Sequence, residues 1–141
     1  MLDLDYKVLK LLYRSEKPLK VGELSMDLDI PHSTTGSCVK RLEQEGYVIY
    51  KRYRPVTLSQ KGVDLAIELI RHGQLMEILL YNELGLSIEK AHEEAEKFNL
   101  LLSCEIVNKI CEKYGHPKKC PCGELILDSS SCYCENGHHE S

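Results

Sequence analysis

The sequence predicts a mostly α-helical chain with one small β-hairpin and a cysteine-rich end. Three observations predict it. Apolar residues recur at helical spacing through most of the first 115 of 141 residues, and the period switches toward alternation just after Gly46. The last 22 residues, CPCGELILDSSSCYCENGHHES, hold four of the seven cysteines and few apolar side chains. A hydrophobic content of 43% is enough for a real core, and no apolar run nears the ~18 residues of a membrane-spanning helix. The start, MLDLDYKVLK, lacks the basic head and apolar stretch of a secretory signal. The expected compartment is therefore the cytoplasm, with no membrane contact. Cysteines there are read as metal ligands or redox groups rather than disulfide partners.

The elements follow in order. Leu4, Val8, Leu11 and Leu12 stand at helical spacing, which predicts a first helix from about Asp3 to Ser15, stopped by Lys17-Pro18. Val21, Leu24 and Leu28 predict a two-turn second helix ending near Asp29. Pro31 punctuates it. The third helix has Ser33 and Thr34 as possible caps, Val39 and Leu42 as core residues, and Gly46 as its stop. YVIYKRYRPVTLS then reads as two β-prone runs around a basic tip, a hairpin or wing. Ser59 with Gly62 opens a helix of about 25 residues, interrupted only by Gly73 and ended by Gly85. Such length favours a linking or dimerising helix. Two further helices are expected over IEKAHEEAEKFNLLLS and CEIVNKICEKYG, with Ala91, Ala95 and Phe98 inward in one and Ile106, Val107 and Ile110 inward in the other. A helical cluster this small is naturally completed by a second copy.

Two helices joined by about four residues, the second basic and rich in hydroxyls, followed by a basic hairpin, describe a winged helix-turn-helix. Charge agrees: residues 1–62 carry 11 Lys+Arg against 8 Asp+Glu, whereas residues 63–141 carry 7 against 14, for a net −4. Only the front of the chain suits a polyanion. In such a motif the first turns of the second helix read base edges, while basic residues further along and in the wing hold phosphates. Ser33, Thr34, Thr35 and Ser37 are the candidate readers, flanked by His32 and Lys40. Arg41, Lys51, Arg52 and Arg54 are the candidate phosphate clamps. For each residue taken singly, a helix cap or a solvated basic face explains it equally well. Gly36 inside the reading helix either admits close backbone approach to DNA or softens the helix, at about 1 kcal/mol relative to alanine.

VGELSMDLDIPHSTTGSCVKRLEQEGYVIYKRYRPVTLSQKG, RHGQLMEILLYNELGL, HEEAEKFNLLLSCEIVNKI and GHPKKCPCGELI, in that order, resemble the DtxR/MntR family of metal-dependent transcriptional repressors. The resemblance covers roughly residues 5 to 126. It implies a homodimer whose winged helices bind a palindromic operator when Fe²⁺ or Mn²⁺ occupies a site between the two domains. On the family's pattern, Asp5 matches the N-terminal carboxylate ligand, Glu77 the long-helix Glu, His92 an ancillary-site His and Glu96 the first of a final cluster. The other positions depart from it. The family's Glu-His pair falls on Asn99 and Leu100, and its long-helix His falls on Gly73, with His72 one position off and so rotated by about 100°. Leucine cannot ligate, and asparagine is a weak ligand for Fe²⁺ or Mn²⁺. His72, Glu77, His92 and Glu96 would converge only if the helix shifted at Gly73; otherwise they are remnants on a polar helix surface.

The cysteines offer a replacement. Cys120 and Cys122, then Cys132 and Cys134, make two CxC pairs nine residues apart, which a hairpin near Gly123-Glu124-Leu125-Ile126 would bring together. Four thiolates suit Zn²⁺, Fe²⁺ or an iron–sulfur cluster over Mn²⁺ or Mg²⁺. His116, His138 and His139 are spare ligands. Cys38, Cys104 and Cys111 fall at core-facing positions and read as small buried hydrophobes. The expectation is thus a winged helix-turn-helix domain over residues 1–62, a helical dimerisation domain over 63–116 and a cysteine-rich tail over 117–141. Its function would be metal-responsive repression by a homodimer, with iron the favoured metal. A thiol redox regulator and a small metal carrier or redox protein are the rivals. No nucleophile and base stand in a recognisable catalytic order, so an enzyme is not expected.

Overall fold

The computed structural model describes residues 1–128, which divide into two compact units, Met1–Ala66 and the residues from Ile67 onward. The first unit contains α1 (Asp3–Arg14), α2 (Val21–Leu28), α3 (His32–Gln44), β1 (Val48–Ile49), β2 (Thr57–Leu58) and the first turns of α4 (Gln60–Leu84). α1 buries Val8 and Leu9 completely, and α3 answers with Val39 and Leu42. α2 ends where Asp29 takes a left-handed conformation, φ 54°, which Asp tolerates because its short polar side chain bonds locally. Pro31 stands at the N-cap of α3, so Ser33 and Thr34 lie within the first turn and do not cap it.

β1 and β2 pair antiparallel, Val48 with Leu58 and Ile49 with Thr57, and Val56 bridges to Leu19 through a 2.7 Å backbone hydrogen bond. Ser59 caps α4 by accepting the Gly62 N–H at 3.1 Å while its hydroxyl donates to the Gly46 carbonyl at 2.6 Å. Gly62 is required for close approach. A Cβ there would lie 2.0 Å from the Tyr47 carbonyl oxygen, so only glycine lets the start of α4 lie against the strand.

The second unit contains the remainder of α4, then α5 (Ile88–Ala95), α6 (Cys104–Lys113) and a tight reversal over residues 118–126. Leu75, Met76, Ile78, Ala95, Val107, Ile110, Cys111 and Cys120 form its core. Ser87 and Ser103 cap α5 and α6 by accepting the N–H of Lys90 and Ile106. α4 passes through Gly73 without interruption. Two expectations are corrected. α5 stops at Ala95 rather than running to Ser103, because Asn99 is left-handed at φ 44° and Ser103 already starts the next helix. Ile106 is 46% exposed, and only Val107 and Ile110 of the expected α6 trio face the core. No helix among the described residues is long and apolar enough to cross a membrane.

Candidate metal centre and nucleic-acid interface

On α3, Ser33, Thr34, Ser37 and Lys40 are exposed, as is His32 before them. Thr35 is not with them and is withdrawn as a reader. It is fully buried, its hydroxyl donating to the Pro31 carbonyl at 3.2 Å and sharing a 3.0 Å hydrogen bond with Ser25, so it locks α3 onto α2. No Cβ contact exists within 4 Å at Gly36. Lys51, Arg52 and Arg54 are exposed at the wing tip, where the Arg54 N–H closes a turn on the Lys51 carbonyl at 2.9 Å and Arg52 lies over the Tyr53 ring at 4.9 Å.

Arg41 is committed elsewhere. Its guanidinium donates to Asp5 Oδ1 at 2.8 Å, the Cys38 thiol donates to the same oxygen at 3.0 Å, and the Leu2 N–H reaches Oδ2 at 3.1 Å. Burial raises the Asp5 pKa, but the hydrogen bonds from Cys38 and Arg41 outweigh it and hold the carboxyl below its ordinary 3.8. The carboxylate expected as the N-terminal metal ligand is therefore occupied by a protein cation. Burial, and then the hydrogen bond to Asp5, push the Cys38 thiol up to about 12, which makes it an inert donor.

In the second unit Glu77, His92 and Glu96 come together without any shift of the helix at Gly73, but His72 does not join them. Glu77 is 1% exposed; its Oε1 lies 2.7 Å from His92 Nδ1, and His92 Nε2 lies 3.5 Å from Glu96 Oε1. They are thus a connected set rather than remnants on a polar surface. A Cβ at position 73 would be in ordinary van der Waals contact with Glu96 Oε2, at 3.6 Å, so space does not require the glycine. Asn99 serves the left-handed turn after α5. Glu77 Oε2 accepts the Cys122 backbone N–H at 3.0 Å, and the two sulfurs of Cys120 and Cys122 stand 2.9 Å apart, with ligating atoms of Glu77, Cys120 and Cys122 all within 4.8 Å of one another.

The chain reverses at Cys120-Pro121-Cys122-Gly123, a little earlier than expected, with Gly123 at φ 96° and the Cys120 N–H bonded to the Glu124 carbonyl at 3.0 Å. α4 holds this reversal through three polar residues on one stripe. Arg71 donates to the Leu127 carbonyl at 2.9 Å, and Gln74 donates to the Leu125 carbonyl at 2.8 Å while accepting from the Leu127 N–H at 2.9 Å. Glu77 completes the stripe. Burial, followed by the hydrogen bond to Cys122 and the Glu77 charge, pushes the Cys120 thiol up to about 12. A bound cation would reverse that preference, because it takes the thiolate.

Three donors of two kinds meet here, a carboxylate and two thiols, with the His92 imidazole on the other oxygen of Glu77. This set fits a borderline cation such as Zn²⁺ or Fe²⁺ better than a hard one. His72 lies apart, buried beside Glu68 and Cys104. His116 contacts Cys111, with Nδ1 to Sγ at 3.4 Å, and does not join the CxC pair. Cys104 is disulfide-bonded, an exception to the expectation for the cysteines. Cys132, Cys134, His138 and His139 lie outside the described residues.

Residues 6–56 match the family model for the iron dependent repressor N-terminal DNA binding domain, and residues 59–128 that for the iron dependent repressor metal binding and dimerisation domain. An uncharacterized HTH-type transcriptional regulator of Methanocaldococcus jannaschii is 34% identical over 96 residues, 68% of this chain and 77% of that protein. The diphtheria toxin repressor of Corynebacterium glutamicum is 28% identical over 130 residues, 89% of this chain but 57% of that protein, so the chain spans little more than half of that longer relative. A manganese-dependent transcriptional repressor solved with manganese superposes at a TM-score of 0.79, with 25% identity over 97% of this chain and 62% of that one. Both domain models are matched in order along the chain, and a relative 34% identical covers 68% of it: the chain belongs to the iron-dependent repressor family of metal-dependent, DNA-binding transcriptional regulators.

Proposed function

We propose that the chain is an iron-responsive repressor that acts as a homodimer on a palindromic operator. Its regulatory metal is held by Cys120 and Cys122 together with Glu77, which His92 supports from its other oxygen. One observation carries this reading: the family-pattern pair Glu77–His92 is in direct hydrogen-bonded contact with the CxC turn, through the 3.0 Å bond from the Cys122 N–H to Glu77. Sulfur thereby supplies donors that Gly73, Asn99 and Leu100 do not. With every cysteine reduced, Cys132 and Cys134 would bring that site to four sulfurs, suited to Zn²⁺, Fe²⁺ or an iron–sulfur cluster.

The residues perform distinct tasks. Glu77 positions the CxC turn and supplies a hard donor, while His92 holds Glu77 through its other oxygen. Cys120 and Cys122 give up protons to become ligands. Arg71 and Gln74 seat the turn on α4, so a cation at this point ties α4, α5 and the C-terminal reversal together. Ser33, Thr34 and Ser37 read the operator from the major groove, and Lys40, Lys51, Arg52 and Arg54 hold phosphates. In the dimer, two such reading helices meet half-sites about 34 Å apart.

Elemental analysis and an absorption spectrum of anaerobically purified protein identify the metal, and gel shifts across an iron titration measure its effect on DNA affinity. Cys120→Ser/Cys122→Ser is expected to lose the iron response while keeping its fold. Unaltered iron tuning in that variant would overturn the assignment. A thiol redox sensor is the second reading, favoured by two free thiols 2.9 Å apart. It alone requires operator affinity to change with oxidant at constant metal.

A further inference from the structure

A second cluster on α4 has no part in the CxC site. Glu68 and His72 stand one turn apart on that helix, and Cys104 opens α6 directly after its Ser103 cap. They are 2%, 3% and 4% exposed. His72 Nε2 lies 3.4 Å from Glu68 Oε2, and Cys104 Sγ lies 3.6 Å from His72 Nε2 and 3.7 Å from Glu68 Oε2. A tetrahedral cation with arms of about 2.0–2.3 Å spaces its ligands by roughly 3.3–3.8 Å, so the three atoms stand as three corners of such a site.

An independent observation points the same way. Among the described residues Glu68 Oε1 is buried and has no hydrogen-bond partner, although buried polar atoms in proteins are nearly always satisfied. A simple ion pair through Oε2 strands the second carboxylate oxygen. A cation placed within reach of both oxygens does not. The charge also balances better, since a thiolate and a carboxylate are two anions facing one divalent ion.

We propose that Glu68, His72 and Cys104 form a second metal site, one that takes a single Zn²⁺- or Fe²⁺-type cation when Cys104 is reduced. One oxygen, one nitrogen and one sulfur donor favour borderline cations over Mg²⁺ or Mn²⁺, and three protein ligands leave a coordination position open. Cys104 is disulfide-bonded in this structure, so one sulfur serves two mutually exclusive bonds. A phosphine reductant with water converts the disulfide to two thiols and is itself oxidised to phosphine oxide. The arriving cation then displaces the Cys104 proton. The cluster thus makes metal uptake conditional on thiol state. It shares no ligand with Glu77, Cys120 and Cys122, and either assignment can fail alone.

The test uses the full chain with Cys120, Cys122, Cys132 and Cys134 replaced by serine, reduced with a phosphine under anaerobic conditions and titrated with Co²⁺. The expected result is one equivalent bound, with sulfur-to-cobalt charge transfer and the intense visible bands of a tetrahedral ion. Adding Cys104→Ser should abolish the charge transfer. Adding His72→Gln should weaken binding by more than the roughly 10–100-fold typical of losing a ligand's supporting partner. Circular dichroism verifies folding and a thiol count verifies that Cys104 is reduced. Folded, reduced protein that binds no cobalt, or charge transfer that survives Cys104→Ser, would overturn the proposal.

Discussion

Glu77→Gln probes the CxC site at its centre while preserving shape. Glu77 is 1% exposed and accepts two hydrogen bonds, from His92 Nδ1 at 2.7 Å and from the Cys122 N–H at 3.0 Å. A glutamine has one oxygen and one NH₂ to place against these partners. Turning the NH₂ toward Cys122 sets two donors face to face and strands a backbone N–H, at about 1–3 kcal/mol. The amide therefore turns its oxygen to Cys122 and its NH₂ to His92, which must become an acceptor at Nδ1. What remains is the lost charge assistance, about 1–2 kcal/mol. For a unit this small, each kcal/mol moves the melting temperature by roughly 4–8 °C, so a drop of about 5–15 °C is expected without metal. The amide is also a poor ligand, so the variant loses most of the further rise given by Zn²⁺ or Fe²⁺. In the parent that rise reaches about 2.7 kcal/mol when free metal is about 100 times Kd. Thermal melts by circular dichroism, with and without metal, measure both effects. A variant that melts within about 1 °C of the parent and gains as much from metal would show that Glu77 is neither an anchor nor a ligand.

Replacing Lys51, Arg52 or Arg54 singly by alanine should weaken operator binding almost uniformly across sequences. Each should lower the salt slope of log K by about 1, measured by fluorescence anisotropy from low to moderate salt. Thr34→Ala should change base preference with little change in stability. Thr35→Val should instead cost about 1–2 kcal/mol in a melt and leave base preference alone, because its hydroxyl is spent on Ser25 and Pro31. Asp5 has its pKa depressed in the folded chain, so its contribution is full above the ordinary aspartate value and is lost as pH falls through the lower folded value. Asp5→Asn should flatten the acid limb of stability below about pH 4 while lowering stability at neutral pH, as urea melts across pH would show.

The helices and wing were legible because their signals are local. Pro18, Pro31, Gly46 and Ser59 punctuate the chain, apolar spacing names the faces, and Val48, Ile49 and Thr57 carry β-propensity. Thr35 was misread because a hydroxyl in the first turns of a reading helix looks alike whether it points outward or toward α2, and only the partner Ser25, ten residues earlier, decides. Ile106 was misplaced by one position on a helix whose face is set by its neighbours. The metal centre was half legible. Cysteine spacing marked Cys120 and Cys122, and family order marked Glu77, His92 and Glu96, but their junction is a backbone N–H bonding a carboxylate 45 residues away, and no periodicity encodes that.

Gln74 and Arg71 left a faint trace in the sequence. They and Glu77 recur every three residues along α4, the pattern of a polar stripe that must find partners when buried. Gln74 is 2% exposed, and its amide finds those partners in the backbone of residues 125 and 127. The long helix is therefore more than a spacer between DNA-binding and dimerising parts. One stripe docks the cysteine turn, and Glu68 with His72 meets Cys104, so α4 carries protein donors to both clusters. A polar stripe on a buried helix is a reason to look for what docks there, and here it is the sulfur-bearing turn.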